Sequence, residues 1–182
     1  MISLIRGTLV EATAQYAIID AAGVGFELGI SSMTAAALPA LGTECRLYAR
    51  LQVREDSMTL FGFASKEERA MFDHLLSVSG VGPRLALAIL SRYSVSQLYS
   101  IVMAEDATSM SAVSGVGKKT AQRLILELKS TFAKDHSFAV AEAPAANQTV
   151  MTFSHESSVL EDARQALLSM GFSPQETELA LD

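Results

Sequence analysis

The sequence predicts a multidomain α+β chain, in which a small β-barrel precedes an all-α domain, a linker and a short helical segment. Three observations carry this. Apolar residues alternate with period two up to Phe63, the period changes to 3.6 from Ser65, and residues 134–156 sustain no period at all. With 182 residues, of which 49% are hydrophobic and 19% charged, the chain holds apolar surface enough for more than one packed core.

Within residues 1–63, Val24, Phe26, Leu28 and Ile30 alternate with small or polar residues, and so do Leu47, Ala49, Leu51 and Val53. Each set marks a strand with one buried face. Turn residues at 20–23, 38–42 and 54–57 separate the runs into five or six short strands. So short a sheet avoids open edges by closing on itself, and the five-stranded oligonucleotide/oligosaccharide-binding (OB) barrel has this size.

Residues 64–133 read as helical. The stretch SKEE opens them as a capping box, with Ser65 accepting from the Glu68 amide and the Glu68 carboxylate reaching back. Met71, Phe72, Leu75, Leu76 and Val78 form one apolar stripe; Leu85, Ala86, Ile89 and Leu90 form the next. Ser94 with Gln97 repeats the capping box and starts a third helix through Met103. A short turn at 108–112 is expected to follow, and then a last helix over Lys118–Phe132.

The segment VSGVG occurs at 78–82 and again at 113–117, each time between helical stripes, and the copies superpose over some fourteen residues. Gly80 and Gly115 can take the positive φ of a sharp turn, while Gly82 and Gly117 withhold a side chain where a partner's backbone would approach. Val81 and Val116 are expected to plug the gap between helices. The helix after each copy starts with unpaired amides, which favour phosphate through hydrogen bonding and the helix dipole. Arg84 follows the first copy; Lys118 and Lys119, then Arg123 one turn later, follow the second. A plain αα-hairpin would use one such glycine pair for packing. Two copies in register, both followed by cations, are two helix-hairpin-helix motifs, which hold the duplex backbone without reading bases.

The formal charge of −6 is unevenly spread: −2 in residues 1–63, +2 in 64–133 and −6 in 134–182. The positive excess thus lies with the glycine repeats, where a polyanion would bind. Cys45, the one cysteine, excludes an intrachain disulfide, and no Cys/His cluster has metal-ligand spacing, so no metal or cofactor is expected and the chain is placed in a reducing cytoplasm. Arg6 and Glu11 interrupt any signal-peptide core, and no run approaches the ~20 apolar residues of a membrane span. No GxxxxGK[ST] loop is present, so ATP hydrolysis would come from a partner.

Two rival readings are a helix-hairpin-helix repair enzyme and a single-strand-binding barrel. A metal-dependent nuclease needs several converging carboxylates, whereas Glu55 and Asp56 are adjacent on one turn. A glycosylase would need a catalytic Asp or Lys after its hairpin; Glu127 and Lys129 read as ordinary exposed helix charges, and His74, His136 and His155 stand apart. A single-strand binder wants stacking aromatics, of which Tyr16, Phe26 and Tyr48 are few, with no tryptophan.

IRGTLVE at 5–11, LFGFASKEER at 60–69, LLSVSGVGPRLALAILS at 75–91, GVGKKTAQRLILELK at 115–129 and LLSMGFSPQE at 167–176 together cover most of the chain. With these motifs it closely resembles the RuvA family, the junction-recognition subunits of bacterial RuvAB branch migration. The resemblance implies a non-catalytic homotetramer that holds a four-way Holliday junction open in recombination, DNA repair and the SOS response. It implies DNA-backbone contacts by Gly80, Gly82, Arg84, Gly115, Gly117, Lys118, Lys119 and Arg123. It further implies an acidic pin at Glu55 and Asp56, where the residues alone read as a solvated turn. The ATPase partner would be RuvB, with the RuvC resolvase a further candidate.

The linker at 134–156 would tether a small UBA-like helical domain over 157–182. Ser158 with Glu161 caps one helix there, Gly171 stops it, and Ser173, Pro174 and Glu176 start another. Leu167, Met170 and Phe172 would make the apolar contact with RuvB, although their helical spacing alone reads as core. Two departures from the family pattern stand out: MISLIRG lacks the usual Gly-Arg pair after its second residue, and Asp182 precedes the third helix expected of the last domain, which is therefore expected to be partial.

Overall fold

The computed structural model describes residues 1–133. Five strands, β1 (Leu4–Ala12), β2 (Tyr16–Ala21), β3 (Val24–Ile30), β4 (Glu44–Val53) and β5 (Met58–Phe63), form a closed barrel in the order β1-β2-β3-β5-β4. The ladders are antiparallel except where β3 meets β5, with Leu28 opposite Leu60 and Ile30 opposite Gly62. The period-two pattern has its expected physical basis. Ile5, Leu9, Ala17, Ile19, Leu28, Ile30, Cys45, Leu47 and Ala49 fill the interior. Burial pushes the Cys45 thiol pKa up, which keeps it protonated and unreactive.

Between β3 and β4 the chain forms a short helix, α1 (Ser32–Ala36), where only a turn at 38–42 was expected nearby. Its five residues are too few to show a helical period. What holds it is Ser31, whose hydroxyl accepts from the Thr34 amide at 3.0 Å.

The remaining helices are α2 (Lys66–Ser77), α3 (Pro83–Arg92), α4 (Val95–Met103), α5 (Ala107–Ser111) and α6 (Lys118–Phe132). The stretch at 108–112, expected as a turn, belongs largely to α5. The Asp106 carboxylate accepts from the Thr108 and Ser109 amides and so starts a helix there. The Ser94–Gln97 capping box forms in full. The Ser65 box forms by half: Ser65 accepts from the Glu68 amide, but the Glu68 carboxylate turns away to Ser31, Thr34 and the Ala64 amide. The Ser31 and Thr34 hydroxyls are buried and need an acceptor, and this is why the local pattern was misleading. The linker at 134–156, the helices expected beyond it, and Leu167, Met170 and Phe172 lie outside the described residues.

Barrel and helices belong to one compact unit. The helical core contains Met71, Leu75, Ile89, Leu98, Met110, Leu124 and Leu128 and also takes in Phe61 and Phe63 from β5. Phe72, fully buried, packs its ring 5.1 Å from that of Phe61 and 4.9 Å from that of Phe63. An ion pair from Arg50 on β4 to Asp73 on α2, at 3.1 Å, lies at the same seam. Both partners are more than a third exposed, so it contributes little beside the rings. No single helix among the described residues is long and apolar enough to cross a membrane.

Truncating Phe72→Ala removes both ring contacts at once and is expected to cost about 3–5 kcal/mol. Chemical denaturation followed by circular dichroism measures this, and a loss below about 1 kcal/mol would show that the seam does not depend on the ring.

Candidate nucleic-acid interface

Six helices start within the described residues, and the way each start is satisfied separates them into two groups. Ser31, Ser65, Ser94 and Asp106 cap α1, α2, α4 and α5 with a side-chain oxygen. The starts of α3 and α6 have Gly82 and Gly117 at the N-cap and no side-chain cap. Their first-turn amides therefore remain available to an external acceptor, and these two helices are the ones that follow the glycine repeat.

The four glycines divide by conformation. Gly80 and Gly115 have φ of 86° and 89°, the left-handed region that lets each chain reverse between helices. Gly82 and Gly117 have φ of −95° and −79°, open to any residue. A Cβ built on either of them meets no atom within 4 Å. Nothing among the described residues thus requires glycine at 82 or 117. Internal packing therefore does not account for glycine at these two positions. Val81 and Val116 are buried between the helices, as their apolar character predicts.

Arg84, Lys118 and Lys119 are exposed in the first turns of α3 and α6 and form no ion pair among the described residues. Arg123 differs, because its Nε donates to the Glu127 carboxylate at 2.7 Å. That hydrogen bond holds the Glu127 pKa below the usual carboxylate range, with the Ser79 amide adding a contact at 3.3 Å. Glu127 thus ties α6 of the second motif to the turn of the first, a role its exposed helical spacing did not reveal. Lys129 pairs similarly with Glu105 at 2.5 Å. The two motifs also meet where Leu85 comes within 3.5 Å of a Cβ position on Gly115.

Glu55 and Asp56 sit at the exposed tip of the β4–β5 hairpin, closed by the Arg54 amide donating to the Ser57 carbonyl at 2.8 Å. Among the described residues, no three His, Cys, Asp or Glu side chains converge to hold a metal ion. A cleft of about 660 Å³ separates the hairpin from α3, lined by Gln52, Arg54 and Thr59 on one side and Pro83, Arg84 and Leu87 on the other. Arg54 and Ser57, which flank the acidic tip, and the first uncapped helix start therefore border one cleft. The barrel aromatics are already engaged: the Tyr16 hydroxyl donates to Glu11 at 2.5 Å, and Tyr48 lies under Arg46 and Lys66.

Fold and site together define a barrel-linked tandem helix-hairpin-helix protein. Residues 1–62 match the RuvA N terminal domain family, and residues 72–130 match the SAM-like helix-hairpin-helix tandem. Over its whole length the chain is 40% identical to the Holliday junction branch migration complex subunit RuvA of Marinomonas sp. (strain MWYL1), covering 88% of that protein. It is 42% identical to the subunits of the same name from Pseudomonas entomophila (strain L48) and Pseudomonas paraeruginosa (strain DSM 24068 / PA7), covering 88% and 89% of them. The chain belongs to the RuvA family.

Because a side chain at 82 or 117 meets no internal neighbour, Gly82→Leu and Gly117→Leu are expected to leave the melting temperature nearly unchanged. Binding to DNA, by fluorescence anisotropy, should weaken by about tenfold or more, as expected for loss of ~1.4 kcal/mol of phosphate contact. Full-strength binding by both folded variants would remove these glycines from the interface.

Proposed function

We propose that this chain is a non-catalytic, structure-specific DNA-binding subunit that holds four-way junctions open and works with a RuvB-type ATPase in branch migration. The observation that carries the reading is the pair of uncapped, cation-flanked helix starts on α3 and α6, in a domain of net positive charge. The name of the relatives, Holliday junction branch migration complex subunit, supports the choice of substrate.

In this reading, backbone amides after Gly82 and Gly117 donate to phosphate oxygens, and Arg84, Lys118 and Lys119 add charge at the same turns. Gly80 and Gly115 shape those turns, and Arg123 adds charge one turn further along α6. Contacts of this kind position a duplex without reading its sequence, as suits a protein that must bind any junction. Selectivity for the crossover comes from the opposite charge. Glu55 and Asp56 repel phosphates at the hairpin tip, so strands separate around it instead of closing over it. One such pair of charges is worth only about 1 kcal/mol in water at ~4 Å, and four symmetry-related tips in a homotetramer would add their effects.

The same reading assigns residues 1–63 to an OB-type barrel, 64–133 to the DNA-binding domain, 134–156 to a linker and 157–182 to part of a UBA-like domain. Leu167, Met170 and Phe172 would there engage RuvB. The place of work would be the cytoplasm.

Lys118→Ala and Lys119→Ala are expected to weaken binding to all junction sequences alike and to flatten the salt dependence by about 0.9 in log-log slope per lost phosphate contact. Titration at several salt concentrations reads this directly; a changed sequence preference with an unchanged slope would contradict backbone binding. Replacing Glu55→Gln together with Asp56→Asn is expected to raise affinity for linear duplex and narrow the junction preference, by about fivefold for each kcal/mol of repulsion removed. Competition between four-way and linear DNA at fixed salt decides it, since a merely solvated turn leaves the ratio unchanged.

A further inference from the structure

The buried polar side chains among the described residues are Ser31, Thr34 and Glu68, and all three belong to one network. One Glu68 oxygen accepts from the Ser31 hydroxyl at 2.5 Å; the other accepts from the Thr34 hydroxyl at 2.6 Å and the Ala64 amide at 3.2 Å. The Ser31 hydroxyl in turn accepts from the Thr34 amide, and the Ala64 amide also reaches the Thr34 hydroxyl at 3.1 Å. Glu68 is only 8% exposed, and Ser31 and Thr34 are fully buried.

The location of this network matters. Ala64 directly follows β5, the strand that descends from the acidic tip, while Glu68 lies in the first turn of α2, the helix that leads to the first glycine turn. Ser31 and Thr34 belong to α1 and its cap. The neighbouring Ser32 amide donates to the Ser91 hydroxyl on α3 at 2.9 Å. The segment from Ser31 to Ala36 is therefore tied both to the helix entering the glycine turn and to the helix leaving it. Cohesion alone would not call for a carboxylate here. Desolvating one is costly, and a well-packed apolar trio of similar volume would avoid that cost. Apolar contacts are non-directional, however, and allow rings to slide, whereas donors converging on one carboxylate define a single arrangement.

We propose that Glu68 is a positioning residue for junction recognition: its network fixes the acidic hairpin relative to the uncapped helix starts and so sets the preference for four-way over linear DNA. This rests on the reading of Glu55 and Asp56 as a phosphate-repelling tip. Glu68 itself lies buried and does not touch DNA. It acts through the placement of the two groups that do.

The test measures affinities of the full chain for a synthetic four-way junction and for a linear duplex of the same sequence, at fixed salt and well below the melting temperature of each variant. Glu68→Gln and Thr34→Val are compared in the wild-type tip and in the Glu55→Gln/Asp56→Asn tip. With the wild-type tip, both are expected to lower the junction-to-duplex ratio by about threefold or more, and in the neutral tip to lower it no further, since coupled positions are non-additive. Thr34→Ser, which keeps the hydroxyl, should restore the ratio. A fall in melting temperature with an unchanged ratio would show Glu68 to be cohesive only, and equal loss in both backgrounds would show that it does not act through the tip. Should Glu68→Gln fail to fold, Thr34→Val decides the question alone. If neutralising the tip by itself leaves the ratio unchanged, the reading of the tip fails and this inference with it; a tip effect without a Glu68 or Thr34 effect overturns the inference alone.

Discussion

The contact of Phe72 with Phe61 and Phe63 makes one body of what the sequence pattern divides in two. Leu60 and Gly62 of β5 face the barrel interior, whereas Phe61 and Phe63, which alternate with them, point outward and their rings belong to the helical core. A strand that carries an acidic loop at one end is thereby anchored at the other end in the domain that carries the glycine turns. Without those rings the two halves would lose their apolar seam and keep the Glu68 hydrogen bonds, the Ser32–Ser91 contact and exposed ion pairs such as Arg50 with Asp73, the last of which contribute little.

From that anchoring follows the arrangement of charge. The helical domain has a small net positive excess, and part of it is spent internally: Arg123 on Glu127 and Lys129 on Glu105. These exposed pairs contribute little stability, but they neutralise two cations and leave Arg84, Lys118 and Lys119 without an ion pair at the two uncapped helix starts, among the described residues. Arg54 and Ser57, which flank the acidic tip, stand across a cleft from one of those starts. Attraction and repulsion of phosphate are thus placed on a common scaffold, which a chain with two freely hinged domains would not achieve.

Much of this was legible. The glycine repeat declared its turns because only glycine takes positive φ without cost, and both Gly80 and Gly115 are found there. The barrel interior followed from alternation. Less legible were α1 and α5, each five residues long, whose existence depends on a single capping side chain and on packing against larger helices. Glu68 misled outright: its place in SKEE matches a capping box, and no local pattern reveals that its partners lie more than thirty residues upstream.

The sequence by itself determined the order of barrel and helices, the positions of the glycine turns and the placement of cations beside them. These depend on local periodicity, backbone stereochemistry and charge, each of which a few neighbouring residues express. Only the tertiary structure decided that Gly82 and Gly117 face open space, that Glu127 joins the two motifs, and that a buried carboxylate links the barrel to α2. Such facts depend on which distant groups share a volume, and that is set when apolar faces close over one another and every buried donor must find an acceptor.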